Sequence, residues 1–426
     1  MISIEINNVA KIEKAKIDLA GVTVIAGFNG TGKSTIAKSV FGALNSKKDI
    51  LRKIYNDQNR EIEKILEEWL ESSKVTCEEI EGYYKVDIEL TERILSYYYE
   101  NKAEKTEEIY CDINKIIEEY CGENEIEILD LGDMVDNIVS ILKRNFNDYI
   151  AFFVSQYYKT VFHRQINHFS DTQNASIRYE KVEDSFQFDS EITFNNNEIV
   201  SLARSTASQL ENAIYIETYS ALDFCENIGR RRFSWSAPTI NLPTQELVDS
   251  IKAENELSFS ESKQLAENKK IVALIMEQVT HGQLRQTKNG QMEFVDNESN
   301  AKIEFGNMSA GLKIFALIQR LLENYSLKKS DVLIVDEPEV NLHPKWQVVL
   351  AEVMVRIYKE LGIYILINSH SPYFIRAIEV KMAEYECADK ANFYYMKESG
   401  DKFIAENVNG NLEEIYKALY EPLEDL

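Results

Sequence analysis

The run Gly27-Phe28-Asn29-Gly30-Thr31-Gly32-Lys33-Ser34 constrains this chain more than any other. It fits the pattern GxxxxGK[ST] and falls between an apolar run, Val22–Ala26, and an amphipathic stretch from about Lys33 to Leu44. A strand, a glycine-rich loop and a helix in that order is the context that gives the pattern meaning. Glycines let backbone N–H groups turn inward around phosphates, and the helix N-terminus adds a favourable potential for anions. Lys33 is then expected to reach the β- and γ-phosphates and Ser34 to ligate Mg2+. Asn29, Gly30, Gly32 and Thr35 complete the expected nucleotide-binding set.

Three further runs are compatible with that chemistry. Val332-Leu333-Ile334-Val335 is an apolar strand ending in Asp336-Glu337-Pro338-Glu339. It brings carboxylates to the C-terminal edge of a sheet, where ligands bind in open α/β folds. Asp336 is expected to hold Mg2+, and Glu337 to polarise a water as general base. Acids are also favoured at the start of a following helix, so this run alone has a plain structural reading. Gly306–Lys313 sets Ser309 and Gly311 at the start of a helix predicted from Leu312 to about Tyr325; read alone, Ser309 is an N-cap. His370 follows the apolar run Tyr364–Ile367 in Asn368-Ser369-His370-Ser371-Pro372. It is either a structural histidine or a contact to a terminal phosphate.

Between these runs the chain changes character. From about 46 to 170, apolar residues recur at helical spacing, as in Ile62-Ile65-Leu66-Trp69-Leu70 and Val135-Ile138-Ile141-Leu142. This stretch reads as a solvated helical insertion, with a small strand near Tyr83–Leu90. Alternation returns in Ser176–Glu180 and Glu191–Phe194, with a turn at Asn195-Asn196-Asn197. Ala213–Thr218 reads as a buried strand. A hairpin is predicted over 283–295 with its turn at Asn289-Gly290, then a strand at Lys302–Phe305. After His370 come a hairpin, Asn392–Lys397 with Lys402–Val408, and a helix from about Leu412 to Leu423.

Composition narrows the function. With 71 acids against 47 bases and a net charge of −24, a protein that coats nucleic acid or anionic membrane with its whole surface is disfavoured. Residues 61–140 hold most of that imbalance, which is the usual mark of a solvated face. No run of about 18 apolar residues suggests a membrane span. The five cysteines have no CxxC spacing, so the expectation is reduced thiols in the cytoplasm.

Together the four motifs resemble the ABC-type ATPases of the SMC, RecF and OLD branch. Walker A is then Gly27–Ser34, and Walker B is Leu333–Asp336 with Glu337 as catalytic glutamate. The signature is Ser309-Ala310-Gly311-Leu312-Lys313, with Ala310 where the family has glycine, and His370 is the switch histidine. Asp336-Glu337-Pro338-Glu339-Val340-Asn341-Leu342-His343-Pro344 resembles the DEPExxLHP pattern of OLD-like AAA ATPases of bacterial defence operons. His343 stands where transporter-type members have an aspartate. No Q-loop residue is assigned; Glu217 and Thr218 lie nearest its expected place.

The resemblance implies an α/β fold, a P-loop NTPase of the ABC-ATPase head type with a largely helical insertion. Residues 1–45 and 206–380 form the two parts of the head, 46–205 the insertion, and 381–426 a C-terminal hairpin and helix. It implies ATP and Mg2+ as cofactors, and a homodimer or higher homo-oligomer in which Ser309 and Gly311 complete the site of a second copy. The chain is similar to the standalone ATPases of Septu-type and PARIS-type anti-phage systems. That implies a separately encoded effector nuclease, of HNH or TOPRIM type, and no intrinsic nuclease activity, since the stretch after His370 is short and carries no HNH or DxD cluster. The alternative is a RecF- or SMC-like DNA-repair ATPase that clamps DNA on ATP-driven dimerisation. DNA contact stays open through Arg230-Arg231-Arg232 beside Phe233 and Trp235, whereas the long heptads of an SMC arm are missing.

Overall fold

The computed structural model describes residues 2–72, 80–101, 105–124, 126, 131–168, 173–183, 186–203, 212–217, 243–254, 257–288 and 290–424. The chain forms two compact units, Met1–Lys48 with Val154–Leu426, and Asp49–Phe153. Among the described residues no helix is long and apolar enough to cross a membrane.

The larger unit is built on an eleven-stranded sheet. Its strands are β1 (Ile2–Val9), β2 (Ile12–Leu19), β3 (Val22–Ala26), β4 (Ala175–Glu183), β5 (Phe186–Asn195), β6 (Glu198–Ala203) and β7 (Ala213–Ile216). A separate three-stranded sheet holds β8 (Gly282–Gln286), β9 (Met292–Asp296) and β10 (Lys302–Glu304). The large sheet is completed by β11 (Val332–Asp336), β12 (Tyr364–Ser369), β13 (Ala391–Ser399) and β14 (Lys402–Asn407). Its order is β6-β5-β4-β1-β2-β14-β13-β3-β12-β11-β7.

Two kinds of pairing share this sheet. The run β13-β3-β12-β11-β7 is parallel throughout. Of these, β3, β12, β11 and β7 are short and mainly apolar, and β3 and β7 are buried at every position, as both-face coverage by helices requires; β13 is longer and mixed in character. The other end, β6-β5-β4-β1-β2, is antiparallel. Parallel register sets the functional edge: Ala26 pairs with Ser369 and Asp336 with Asn368. The phosphate loop, the acidic turn and the His370 turn therefore leave the sheet at the same level.

Helices cover the parallel part. Ala310–Glu323 buries Ile314, Phe315, Leu317, Ile318 and Leu321. Pro344–Leu361 starts with proline in its first turn and ends at Gly362, which takes the left-handed conformation (φ 68°) that favours glycine. Pro372–Glu384 starts behind Ser371, whose hydroxyl accepts the Phe374 N–H at 3.2 Å.

The smaller unit is helical, with Ile50–Ser72, Ile80–Asn101, Thr106–Glu123, Gly132–Leu142 and the first part of Phe146–Val161. Its core includes Ile62, Leu66, Ile113, Ile117, Val135 and Ile138. The strand expected near Tyr83–Leu90 is part of a helix. Leu90, Ile94 and Leu95 are all buried, a helical spacing that outweighs the short alternation before it.

Two boundaries differ from the sequence reading. The helical unit ends at Phe153, not near 205, because β4 to β6 join the head's sheet through β1. The C-terminal hairpin is no appendage: β13 pairs with β3 and β14 with β2, so it lies inside the sheet. Arg230-Arg231-Arg232, Phe233, Trp235, Thr218, Asn289, Cys77 and Cys225 lie outside the described residues.

Candidate functional site

The phosphate loop leaves β3 at Gly27 and enters the helix Lys33–Asn45. Gly30 and Gly32 take φ of 79° and 94°, the left-handed region in which a side chain is strained. Gly32 is also hemmed in, since a Cβ there would meet Ile12 Cδ1 at 2.5 Å. Gly27 lies against β13, where a Cβ would meet that of Met396 at 2.9 Å.

Lys33 is buried, only 4 % exposed. Its Nζ donates to the carbonyls of Gly27 and Phe28, each at 2.9 Å, and lies 3.8 Å from Glu337 Oε1. Burial lowers the affinity of this amine for its proton, while Glu337, Asp336 and Glu339 pull the other way. Lysine Nζ thus sits folded onto its own loop, within reach of the acidic turn. An open pocket above the loop is lined by Lys11, Asn29, Gly30, Gly32, Lys33, Ser34, Thr35 and Glu337.

Asp336 is held from both sides. Asn368 Nδ2 donates to its Oδ1 and Tyr215 Oη donates to its Oδ2, both at 2.9 Å. Glu337 has a φ of 45°, uncommon for a residue with a side chain, and its N–H donates to the Asn368 carbonyl at 2.9 Å. Backbone strain of this kind costs about 1–3 kcal/mol and concentrates at functional sites. Glu337 Oε1 lies 3.3 Å from His370 Nδ1.

Lys33, Glu337 and His370 therefore meet around one carboxylate, and Asp336 is its chain neighbour. Ser34 and Thr35 line the pocket from the first turn of the helix. Ser309 and Gly311 are not among the residues that line it. Ser309 is exposed and caps the helix Ala310–Glu323 by accepting the Leu312 N–H at 3.4 Å. Gly311 is buried, and a Cβ there would meet the Asn341 carbonyl and Leu342 Cδ2 at 3.0 Å. Its missing side chain thus serves a close approach within the chain. His343 Nδ1 caps the helix Pro344–Leu361 by accepting the Lys345 N–H at 3.2 Å. Glu217 pairs with Lys38 at 2.8 Å.

Four residues at this edge escaped the motif reading. Lys11 lies in the tight turn between β1 and β2 and donates to the Gly30 carbonyl at 3.2 Å. Tyr215 and Asn368 orient Asp336 from the neighbouring strands. Glu339, 5 % exposed, accepts from the Ser369 hydroxyl at 2.6 Å and from the amides of His370 and Ser371. The signals were present as a tyrosine in an apolar strand, an asparagine before the histidine and a second acid after Pro338. None is decisive without the strand order.

The donor set fits a nucleotide with Mg2+. Among the described residues no group of three or more His, Cys, Asp or Glu forms a metal cage. Mg2+ does not need one, because it binds through one or two protein groups together with phosphate oxygens and waters.

The chain was compared with known protein families and solved structures. Residues 1–375 match the AAA ATPase domain family. No curated protein matches the sequence. Among solved structures, the chain is similar to the SMC head domain from Thermotoga maritima, at 10% identity and TM-score 0.38, over 95% of this chain and 98% of that one. It is also similar to an Smc head bound to the C-winged helix domain of ScpA, at 9% identity and TM-score 0.41, over 97% and 98%. A third is an Smc head domain with an extended coiled coil bound to the C-terminal domain of ScpA derived from Pyrococcus furiosus, at 11% identity and TM-score 0.42, over 99% of each chain. Likeness at this level carries no residue's role across. The family match does span most of the chain: this protein belongs to the AAA ATPase domain family.

Proposed function

We propose that this chain is an ABC-type ATPase that hydrolyses ATP to ADP and phosphate. We further propose that it serves as the sensor and scaffold subunit of a bacterial anti-phage defence complex, controlling a separately encoded effector nuclease. The observation that carries the ATPase reading is the meeting of Lys33, Glu337 and His370 at one sheet edge.

In this reading the inward amides of Asn29 to Lys33 bind the phosphates. Lys33 exchanges its own-loop carbonyls for β- and γ-phosphate oxygens. Mg2+ would be held by Ser34 and Asp336, and when bound it neutralises charge that develops on the phosphates. Glu337 takes the proton of the attacking water at its carboxylate. His370, beside that carboxylate, contacts the γ-phosphate and reports its loss. Ser309, exposed at a helix N-terminus, serves a second copy in a head-to-tail homodimer or larger assembly.

The defence reading rests on the resemblance of Asp336–Pro344 to the DEPExxLHP pattern, and places the protein in the cytoplasm. Free thiols at Cys111, Cys121 and Cys387 suit a reducing compartment.

The test is light scattering on the E337Q variant with and without ATP and Mg2+, alone and co-expressed with the product of the neighbouring gene. A standing oligomer that retains the neighbour supports the scaffold. A monomer that pairs only with ATP and retains nothing contradicts it and favours a RecF- or SMC-like DNA clamp. Salt-sensitive binding to duplex DNA is then the deciding measurement.

A further inference from the structure

We infer that Glu339 is the positioning residue for His370: its buried carboxylate fixes the turn that brings the imidazole to Glu337. The inference rests on the reading of His370 as part of the hydrolytic edge.

One oxygen of Glu339 organises the whole turn. Oε1 accepts from the Ser369 hydroxyl at 2.6 Å, the His370 N–H at 3.1 Å and the Ser371 N–H at 3.2 Å. These three consecutive residues connect β12 to the helix Pro372–Glu384. The Ser371 N–H also donates to the Ser369 hydroxyl at 3.1 Å, so the turn is closed on itself around the carboxylate. Three convergent donors are what a carboxylate this deep requires.

The imidazole stands between two acids. His370 Nδ1 lies 3.3 Å from Glu337 Oε1 and 3.8 Å from Glu339 Oε1, yet it is buried and makes no hydrogen bond to either. Glu339 Oε2 is likewise buried with no hydrogen-bond partner among the described residues. Burial pushes the Glu339 carboxyl above the usual carboxylate range, against the pull of the Ser369 hydroxyl. The arrangement holds the ring through the backbone hydrogen bonds of its turn and sets Nδ1 at 3.3 Å and 3.8 Å from two acids. It suits a ring held in place by its backbone and left free to engage a ligand.

The test compares Glu339→Ala, Glu339→Gln, Glu339→Asp, His370→Ala and the double variant Glu339→Ala with His370→Ala. Glutamine keeps an acceptor oxygen at the turn and is expected to hold kcat within about 3-fold of wild type. Alanine and, more mildly, aspartate withdraw that oxygen and are expected to lower kcat about 10- to 100-fold, with KM for ATP within about 3-fold. The double variant is expected to be no slower than His370→Ala alone, since both changes remove one function. A readout independent of turnover is the nitrogen-15 and carbon-13 spectrum of the five histidines. The His370 ring signal, assigned by its loss in His370→Ala, should shift in Glu339→Asp and stay in place in Glu339→Gln.

Losses that multiply in the double variant, a parallel collapse of ATP binding, or an unmoved His370 signal in Glu339→Asp would overturn the positioning role. Should Glu339→Ala not fold, equal kcat for the glutamine and aspartate variants overturns it as well. Wild-type kcat in His370→Ala removes the reading beneath it instead, which separates the two failures.

Discussion

Tyr215 donates its phenolic proton to Oδ2 of Asp336 across 2.9 Å, from the strand on one side of β11, while Asn368 takes Oδ1 from the strand on the other. The aspartate proposed to hold Mg2+ is thus aimed by its two strand neighbours. Tyr215 is buried, and burial together with Asp336 keeps its hydroxyl protonated well beyond the usual phenol range. In Tyr215→Phe the ring still packs against Phe41, whose centroid is 5.8 Å away. The expected outcome is an unchanged fold and a Mg2+ requirement raised about 10-fold, the usual effect of losing a residue that orients a metal ligand. Titrating hydrolysis with Mg2+ checks this; an unchanged titration curve would contradict it.

Gly311 tests the proposed sharing of the site between copies. A methyl group at Gly311 meets the Asn341 carbonyl and Leu342 at 3.0 Å, so Gly311→Ala tilts the start of the helix that Ser309 caps. ATP affinity of the monomer is expected to stay within about 3-fold, while steady-state hydrolysis at high protein concentration falls about 10-fold, as a misplaced contact from a second copy predicts. Equal losses in binding and hydrolysis would contradict a site shared between copies.

Lys47 supplies a pH dependence of stability. It is 8 % exposed and its Nζ donates to the Ser190 hydroxyl at 2.6 Å. Burial lowers its pKa to about 8, below the unfolded value of about 10.4. At neutral pH both states carry the charge, and the folded state bears the desolvation cost. As pH rises through the folded value, only the unfolded state still holds the proton, so this term turns in favour of folding and is complete above the unfolded value. The difference is on the order of 3 kcal/mol. Lys47→Met is expected to melt above wild type at about pH 7, with the gap narrowing by about pH 9.5. Melting curves at the two pH values decide it, and a gap independent of pH would count against the account.

Legibility followed local pattern. The strand, glycine-rich loop and helix were readable because Gly30, Gly32 and Lys33 lie within one turn of chain, and Val332–Glu339 because an apolar strand announces its own acidic end. The helical unit was readable through the spacing of Ile62, Leu66, Val135 and Ile138. What long-range pairing creates was not. Nothing local says that β13 lies beside β3, so Met396 could not be placed against Gly27. Tyr215 and Glu339 gain their meaning only once β7, β11 and β12 are set side by side. Gly311 shows the reverse case: the motif was visible, but its packing against Asn341 and Leu342 was not.

The central claim is that Glu337 performs the hydrolytic step at a nucleotide held by the phosphate loop. The most direct measurement is ATP binding and single-turnover phosphate release by Glu337→Gln beside the wild-type chain. The account predicts ATP affinity within about 3-fold of wild type and phosphate release slower by about 100-fold or more, the loss expected of a general base. Phosphate release at the wild-type rate by a variant that still binds ATP would contradict it.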